Sequence, residues 1–182
     1  MNKLTETKEA ILQKAEELAV EYENLYKGCA QCTFLATVDA LRWGGVELLP
    51  VPMEEKLYPA VAMLTAGGCM TGEGTCGAVA SSILALGLSL GQSKDSRDIA
   101  AARQTAATIR NKMLEVYFKK YHSILCKDIQ RKYFGKAWDL VDDEMAHEFL
   151  GITNGCIITE AAIMAVKCIL DEYERGNITA TI

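Results

Sequence analysis

The sequence has few prolines, no surplus of basic residues and no long apolar run. Its three prolines, Pro50, Pro52 and Pro59, lie close together, so the rest of the 182-residue chain can be helical. A net charge of -5 leaves no basic surface to neutralise phosphates, and we expect neither a nucleic-acid partner nor binding to an anionic membrane. No apolar run approaches the roughly 18 residues that a bilayer-spanning helix needs.

The amino-terminal segment MNKLTETKEAILQKAEELAV is charged throughout, so we expect no secretory leader and a cytoplasmic location. Structural disulfides are rare in that reducing compartment. The chain nevertheless has seven cysteines, an odd number that cannot form a fully paired set of disulfides. The cysteines therefore indicate metal binding, thiol chemistry or packing, and packing is the simplest interpretation of any single one.

Apolar residues recur at helical spacing along most of the chain, and the alternation typical of β-strands is not sustained. Helices are predicted over residues 5–26, 29–43, 54–66, 76–91, 95–121, 124–134 and 155–175. The first is amphipathic, and the longest is predicted to bury Ile109, Met113 and Val116. The prolines predict a connector at VELLPVPMEE, and the acidic run DLVDDEMAHE is predicted to begin a solvated helix. We predict an all-α fold in which residues 1–182 form a single domain, a bundle of six or seven helices.

Three cysteines lie at predicted helix starts, each behind a glycine or a glycine-rich loop. They are Cys29, Cys76 and Cys156. The unpaired N–H groups and the dipole of a helix N-terminus favour a thiolate, so we expect lowered pKa values for Cys29 and Cys76. Both also lie on the small-residue faces of their helices, which predicts that these faces pack together with the two cysteines near the same end.

The glycine-rich stretch GGCMTGEGTCGA does not fit a phosphate-binding loop. It lacks the lysine and hydroxyl of GxxxxGK[ST], the spacing of GxGxxG and a preceding strand. Its glycines, Gly74 and Gly77 among them, are predicted to let the backbone turn tightly and deliver Cys76 to a helix N-terminus. Cys69, seven residues before Cys76, is a candidate second thiol.

The other cysteines carry weaker patterns. Cys32 forms a CxxC with Cys29, but no thioredoxin-like strand precedes it, and both packing and thiol chemistry remain open. Cys126 follows His122 by four residues, and on a continuous helix the pair would share one face, as a base-assisted thiol or two metal ligands would. Cys168 aligns with apolar positions and is predicted to lie in the core.

The GCAQ helix start, the loop ending in CGAVA before LALGLSLG, and two later cysteines resemble the C_GCAxxG_C_C family of redox-active proteins. The resemblance spans about residues 25–175, which the amphipathic first helix precedes, and Ser81 stands where the family has the last glycine of its motif. It implies redox chemistry, and so an oxidoreductase of undefined substrate. The family cysteines that it implies are Cys29, Cys76, Cys126 and Cys156.

Three functions remain open. In the first, these four cysteines carry thiol–disulfide or electron-transfer chemistry, with a redox partner protein. In the second, the same four thiolates hold zinc or an iron–sulfur cluster, with ligands gathered from different helices of the bundle. In the third, the cysteines only pack, and the protein is a non-catalytic helical module that assembles, for example as a homo-oligomer.

Overall fold

A computed structural model describes residues 4–96, 98–152 and 156–178. Its helices are α1 (Lys8–Tyr26), α2 (Cys29–Trp43), α3 (Val51–Ala62), α4 (Gly77–Leu90), α5 (Ile99–Ile109), α6 (Glu115–Tyr121), α7 (Cys126–Phe134), α8 (Asp143–Ile152) and α9 (Cys156–Glu174). A π-helical turn, Arg110–Leu114, joins α5 and α6 into one rod. The described residues therefore contain eight helical rods and no strand, which confirms the all-α bundle with one rod more than expected.

Helix α1 begins where the side chain of Thr7 accepts a hydrogen bond from a backbone N–H of the first turn at 3.2 Å. Its buried apolar side chains are Ile11, Ala15, Leu18 and Ala19. On its outer side Lys8 pairs with Asp171 at 2.5 Å and with Glu174 at 3.0 Å. Apolar burial and these ion pairs together fix α1 against α9.

Small residues allow α2, α4 and α9 to pack closely. Ser82 Oγ donates to the carbonyl of Ala78 in α4 at 2.9 Å and also lies 3.2 Å from the carbonyl of Ala161 in α9. At the other contact, a Cβ added to Gly77 of α4 would lie only 3.1 Å from the Cβ of Ala30 in α2. Helices α2 and α4 thus approach closely at Gly77, but the predicted small face of α4 does not pack along its whole length, because Gly87 is exposed.

The connector predicted at VELLPVPMEE is wrong in its second half, because α3 already begins at Val51. Pro52 lies in the first turn of α3, where a helix does not use the N–H that proline lacks. The first half of the segment is irregular but not solvated, since Val46, Leu48 and Leu49 are buried in the core.

The rod from α5 to α6 buries a different stripe from the one predicted. Ile109, Met113 and Tyr117 are buried, whereas Val116 is 42% exposed. Residues four apart drift by about 40° per step around a regular α-helix. The wider π-helical turn absorbs part of this drift, so that side chains at every fourth position stay on the core side.

The acidic run does begin a helix, α8, and no described side chain of α8 is fully buried. Within the described ranges, no single helix is both long and apolar enough to cross a bilayer. A bent pair, Asp143–Ile152 with Ile157–Glu174, reaches that length and composition only when the two helices are taken together.

Candidate functional site

The glycine-rich loop between α3 and α4 folds back on itself. The N–H of Gly72 donates to the carbonyl of Ala66 at 2.8 Å, and the N–H of Gly74 donates to the carbonyl of Gly67 at 3.1 Å. Position 74 requires glycine, because a Cβ there would lie 2.3 Å from the carbonyl oxygen of Gly67. The predicted tight turn is confirmed.

The end of this loop pairs with the segment that precedes α7. The N–H of Cys76 donates to the carbonyl of Ile124 at 2.8 Å, and the N–H of Cys126 donates to the carbonyl of Gly74 at 2.9 Å. Cys76 is the N-cap of α4 and Cys126 is the first residue of α7. Two helix starts far apart in the sequence are thus held side by side, each with a cysteine.

Cys29, the first residue of α2, directs its thiol at the N-terminus of α4. The groups that stabilise its thiolate are the thiol of Cys76 and the backbone N–H groups of Ala66, Gly77 and Ala78. A Cβ on Gly77 would lie 2.7 Å from this sulfur, so glycine is needed there to leave room for it. The predicted contact between Cys29 and Cys76 is therefore present.

The two thiols of this pair differ in acidity. The hydrogen bond from Cys76 and those from the N–H groups lower the pKa of Cys29 to about 7, although burial acts to raise it. The pKa of Cys76 is raised well above its ordinary value by its hydrogen bond to Cys29, by burial and by the neighbouring charge. The expected lowered pKa is therefore wrong for Cys76. Two adjacent sulfurs share one proton, and the sulfur surrounded by N–H groups keeps the negative charge.

Cys126 is a neutral thiol held in a fixed position. Its Sγ accepts a hydrogen bond from Gln130 Nε2 at 3.2 Å, and Gln130 Oε1 accepts from the N–H of Trp138 at 2.9 Å. Burial, and next the charge of Cys29, raise the pKa of Cys126 to about 12. Gln130 was not predicted, although its position four residues after Cys126 places the two on one helix face.

The predicted helix face shared by His122 and Cys126 does not exist. Helix α6 ends at Tyr121, His122 adopts a left-handed conformation with φ of 59°, and α7 begins only at Cys126. His122 is also exposed. The break in the helix removes the geometry on which a base-assisted thiol or a shared metal ion would depend.

Three further cysteines are not among the groups that shift the pKa values of this pair. Cys69 is exposed, with φ of 48°. Cys32 is fully buried and donates to the carbonyls of Tyr22 and Lys27 at 3.2 and 3.3 Å, and burial raises its pKa to about 12. Cys168 is buried in the core as predicted, with a pKa that burial raises to about 11.

A cavity of about 350 Å³ connects Cys29, Cys76 and Cys126. Its wall is largely apolar and is formed by parts of α1, α2, α3, α7, α8, α9 and the glycine-rich loop. The volume lies within the range of small-molecule sites. The polar residues of the wall, besides the cysteines, are Glu23, Lys27, Gln31, Thr65 and Gln130.

The six cysteines whose side chains the structure describes are free thiols. Among the described residues, no three histidine, cysteine or acidic side chains are grouped closely enough to hold a metal ion. Cys156 begins α9, and the prediction about its thiol falls outside the described part of the structure.

The fold and the site define a class: an all-α protein with an acidified thiol and a partner thiol facing a cavity. Residues 26–168 match the family described as "Putative redox-active protein (C_GCAxxG_C_C)", and this protein belongs to that family. Membership supports a redox role and confirms the resemblance drawn from the sequence. No curated protein and no solved structure matches the chain.

Proposed function

We propose that this protein is a thiol–disulfide redox protein in which Cys29 is the attacking thiolate and Cys76 is the second thiol of the pair. The observation that carries the proposal is the set of N–H groups and the Cys76 thiol around Cys29 Sγ. They lower the pKa of Cys29 to about 7. An attacking thiol is most effective when its pKa lies near the ambient pH, because it is then both ionised and nucleophilic.

In the first step the Cys29 thiolate attacks one sulfur of a substrate disulfide. A bond forms between Cys29 Sγ and that sulfur, the substrate S–S bond breaks, and the second substrate sulfur leaves as a thiolate. The negative charge has then left Cys29. Since that charge contributes to the raised pKa of Cys76, Cys76 becomes easier to deprotonate once the mixed disulfide exists.

In the second step Cys76 gives its proton to the departed substrate thiolate and attacks Cys29 Sγ. The Cys29–Cys76 bond forms, the mixed disulfide breaks, and the remaining substrate sulfur leaves as a thiolate. The two cysteines have lost two electrons and the substrate disulfide has gained them. A redox partner protein or a small dithiol has to return two electrons to complete the cycle.

Cys126 is the candidate third thiol of this chemistry. The backbone hydrogen bonds that join its segment to the glycine-rich loop place it beside Cys76, and both line the cavity. Once the Cys29–Cys76 disulfide has formed, we expect Cys126 to attack the sulfur of Cys76. The Cys76–Cys126 bond then forms, the Cys29–Cys76 bond breaks, and Cys29 leaves as a thiolate while the proton of Cys126 passes to solvent.

The proposal is tested by equilibrating the protein with glutathione redox buffers and mapping disulfides by mass spectrometry. We expect a reversible Cys29–Cys76 disulfide that is lost in Cys29→Ser and in Cys76→Ser. The matched control is Cys168→Ser, because that thiol is buried but lies outside the cavity wall. Failure to form the disulfide at any glutathione potential would refute the proposal.

A cysteine-ligated zinc ion or iron–sulfur cluster is the second candidate function. It rests on the three thiols that line one cavity wall and on Cys156, which directly precedes two residues of that wall. The three described thiols are not grouped closely enough to hold an ion, so binding would have to draw them together. Four thiolates are the donor set of both groups. Purification without oxygen, followed by absorption spectroscopy and metal analysis, separates the candidates: stoichiometric metal or a charge-transfer band favours this one.

A third outcome would leave the cysteines with a packing role in an assembly module. It is unchanged stability and no thiol reactivity in both Cys29→Ser and Cys76→Ser.

A further inference from the structure

We propose that the cavity beside Cys29 binds a small molecule with an apolar or aromatic body and a cationic amine, and that Glu23 recognises the amine. As the substrate class of the thiol pair, which would be a small disulfide that carries such a body and amine, this assignment rests on the proposed redox function. The binding itself depends on the cavity wall and on Glu23, and it can be measured without the thiols.

Glu23 is the unexplained polar group of the cavity. It lines the wall, is only 9% exposed, and its Oε2 is buried with no hydrogen-bond partner among the described residues. Burial raises the pKa of its carboxyl, and the charge of Lys27 only partly opposes this. A buried carboxylate without a partner is costly, and a ligand cation at this point would remove the cost.

The local helix does not account for Glu23 either. The residue lies in the last turn of α1, where the carbonyl end of the helix dipole disfavours a negative charge. Its own helix therefore supplies no stabilisation for the carboxylate. The geometry leaves the cavity as the place from which a compensating donor would come.

The rest of the wall fits an apolar body. Aromatic and methionine side chains make up much of it: Tyr26, Tyr133, Phe134, Phe149, Met63 and Met70. Aromatic faces attract cations as well as apolar groups. Because Cys76 and Cys126 are 4% and 5% exposed, a small molecule inside the cavity reaches them more readily than a disulfide on a protein surface would.

Glu23 lies outside the segment of the chain that matches the family model. The family match begins at residue 26, whereas Glu23 belongs to the part of α1 that precedes it. The thiol pair and the ligand preference thus come from different segments. A change in α1 can therefore alter the preferred ligand without changing the thiol pair.

The test is calorimetric titration of the reduced full-length chain with three indoles of similar size. Tryptamine carries the cationic amine, 3-ethylindole has no charge, and indole-3-propionate carries a negative charge. We expect tryptamine to bind about tenfold more tightly than 3-ethylindole, because a ratio of this size corresponds to one charge-assisted hydrogen bond. Indole-3-propionate should bind most weakly. Glu23→Gln should abolish the preference while leaving 3-ethylindole affinity unchanged.

Glu21→Gln is the matched control, because Glu21 is exposed on the same helix and its substitution removes the same charge. It should keep the full preference for tryptamine. Equal binding of the three indoles to the wild-type protein would overturn the role of Glu23, and the absence of binding by all three would overturn the ligand site. Neither result requires a variant to fold.

Repeating the titration with Cys29→Ser separates this inference from the proposed function. Tryptamine binding to that variant, in a protein whose wild type forms no Cys29–Cys76 disulfide, would support the ligand site and refute the redox proposal. A reversible disulfide in a protein that binds none of the indoles would do the reverse.

Discussion

At the scale of single residues, the ionisation of the thiol pair depends on which sulfur the backbone N–H groups surround. Cys76 is the N-cap of α4, yet the N–H group of Gly77 acts on the sulfur of Cys29, and that of Ala78 acts on both sulfurs. The partial positive charge of a helix N-terminus thus acts on a thiol that belongs to another helix. The result is a division of roles: Cys29 holds the charge and Cys76 holds the proton.

This division predicts how Cys29 reacts with iodoacetamide. Only the thiolate is alkylated, so the rate in the wild-type protein should rise with pH through a midpoint of about 7. Cys76→Ala removes the largest cause of the lowered pKa, and the midpoint should move upward. Cys76→Ser keeps a hydroxyl donor, and its midpoint should stay below that of the alanine variant. Peptide-resolved mass spectrometry follows Cys29 apart from the other thiols.

Cys168→Ala serves as the control for this titration and should leave the Cys29 midpoint near 7. A wild-type midpoint near that of an ordinary cysteine would contradict the assigned hydrogen bonds. So would a midpoint that Cys76→Ala does not change.

The sequence was sufficient to predict that Cys29 and Cys76 lie at helix starts, because a cysteine behind glycine at a helix start is a local pattern. It could not show which thiol would be acidified, since the N–H group of Ala66 comes from a loop that approaches only after folding. Glu23 was not indicated either. An acidic residue in an amphipathic helix looks solvated until the tertiary structure covers it.

At the scale of elements, α4 has two glycines in opposite situations. A Cβ on Gly77 would lie 2.7 Å from Cys29 Sγ and 3.0 Å from the carbonyl oxygen of Leu64, whereas a Cβ on Gly87 would meet nothing within 4 Å. One glycine makes room for the site, and the other only weakens an exposed part of the helix.

Alanine at these two positions should therefore have effects of opposite sign. Gly77→Ala is expected to lower the free energy of unfolding by about 1–3 kcal/mol through overpacking and to raise the alkylation midpoint of Cys29. Gly87→Ala, the matched control, should raise the free energy of unfolding by about 0.5–1 kcal/mol and leave that midpoint unchanged. Urea denaturation and the alkylation titration measure the two effects. Stabilisation by Gly77→Ala would show that the close approach of α2 and α4 is not required.

The elements themselves were predictable where one local pattern governs them. Helix α2 begins and ends where the glycines around it predict, at Cys29 and Trp43. The start of α3 was missed because prolines disfavour a helix interior but are accepted in a first turn. The π-helical turn was missed because its cause is tertiary: burial of Tyr117 in place of Val116.

At the scale of the whole molecule, one apolar core connects helices from both ends of the chain. The cluster of buried residues includes Ile11 of α1, Phe34 of α2, Leu86 of α4, Ile129 of α7 and Ile169 of α9. Because these buried residues form one cluster, we expect the single domain predicted from the sequence to unfold cooperatively.

The last prediction tests that cooperativity from one end of the chain. Ile11 is fully buried, so Ile11→Ala should lower the free energy of unfolding by about 2–5 kcal/mol through the cavity that it leaves. Trp138 is buried beside α7 and α8, and in a Trp43→Phe background its fluorescence reports unfolding of that region. The midpoint of the unfolding transition followed by this fluorescence should shift by the same amount as the midpoint followed by helical circular dichroism. Leu25→Ala on the same helix, 63% exposed, should change stability by no more than about 0.5 kcal/mol. If the circular dichroism transition moved while that of Trp138 stayed in place, α1 and the region around α7 would unfold as separate units.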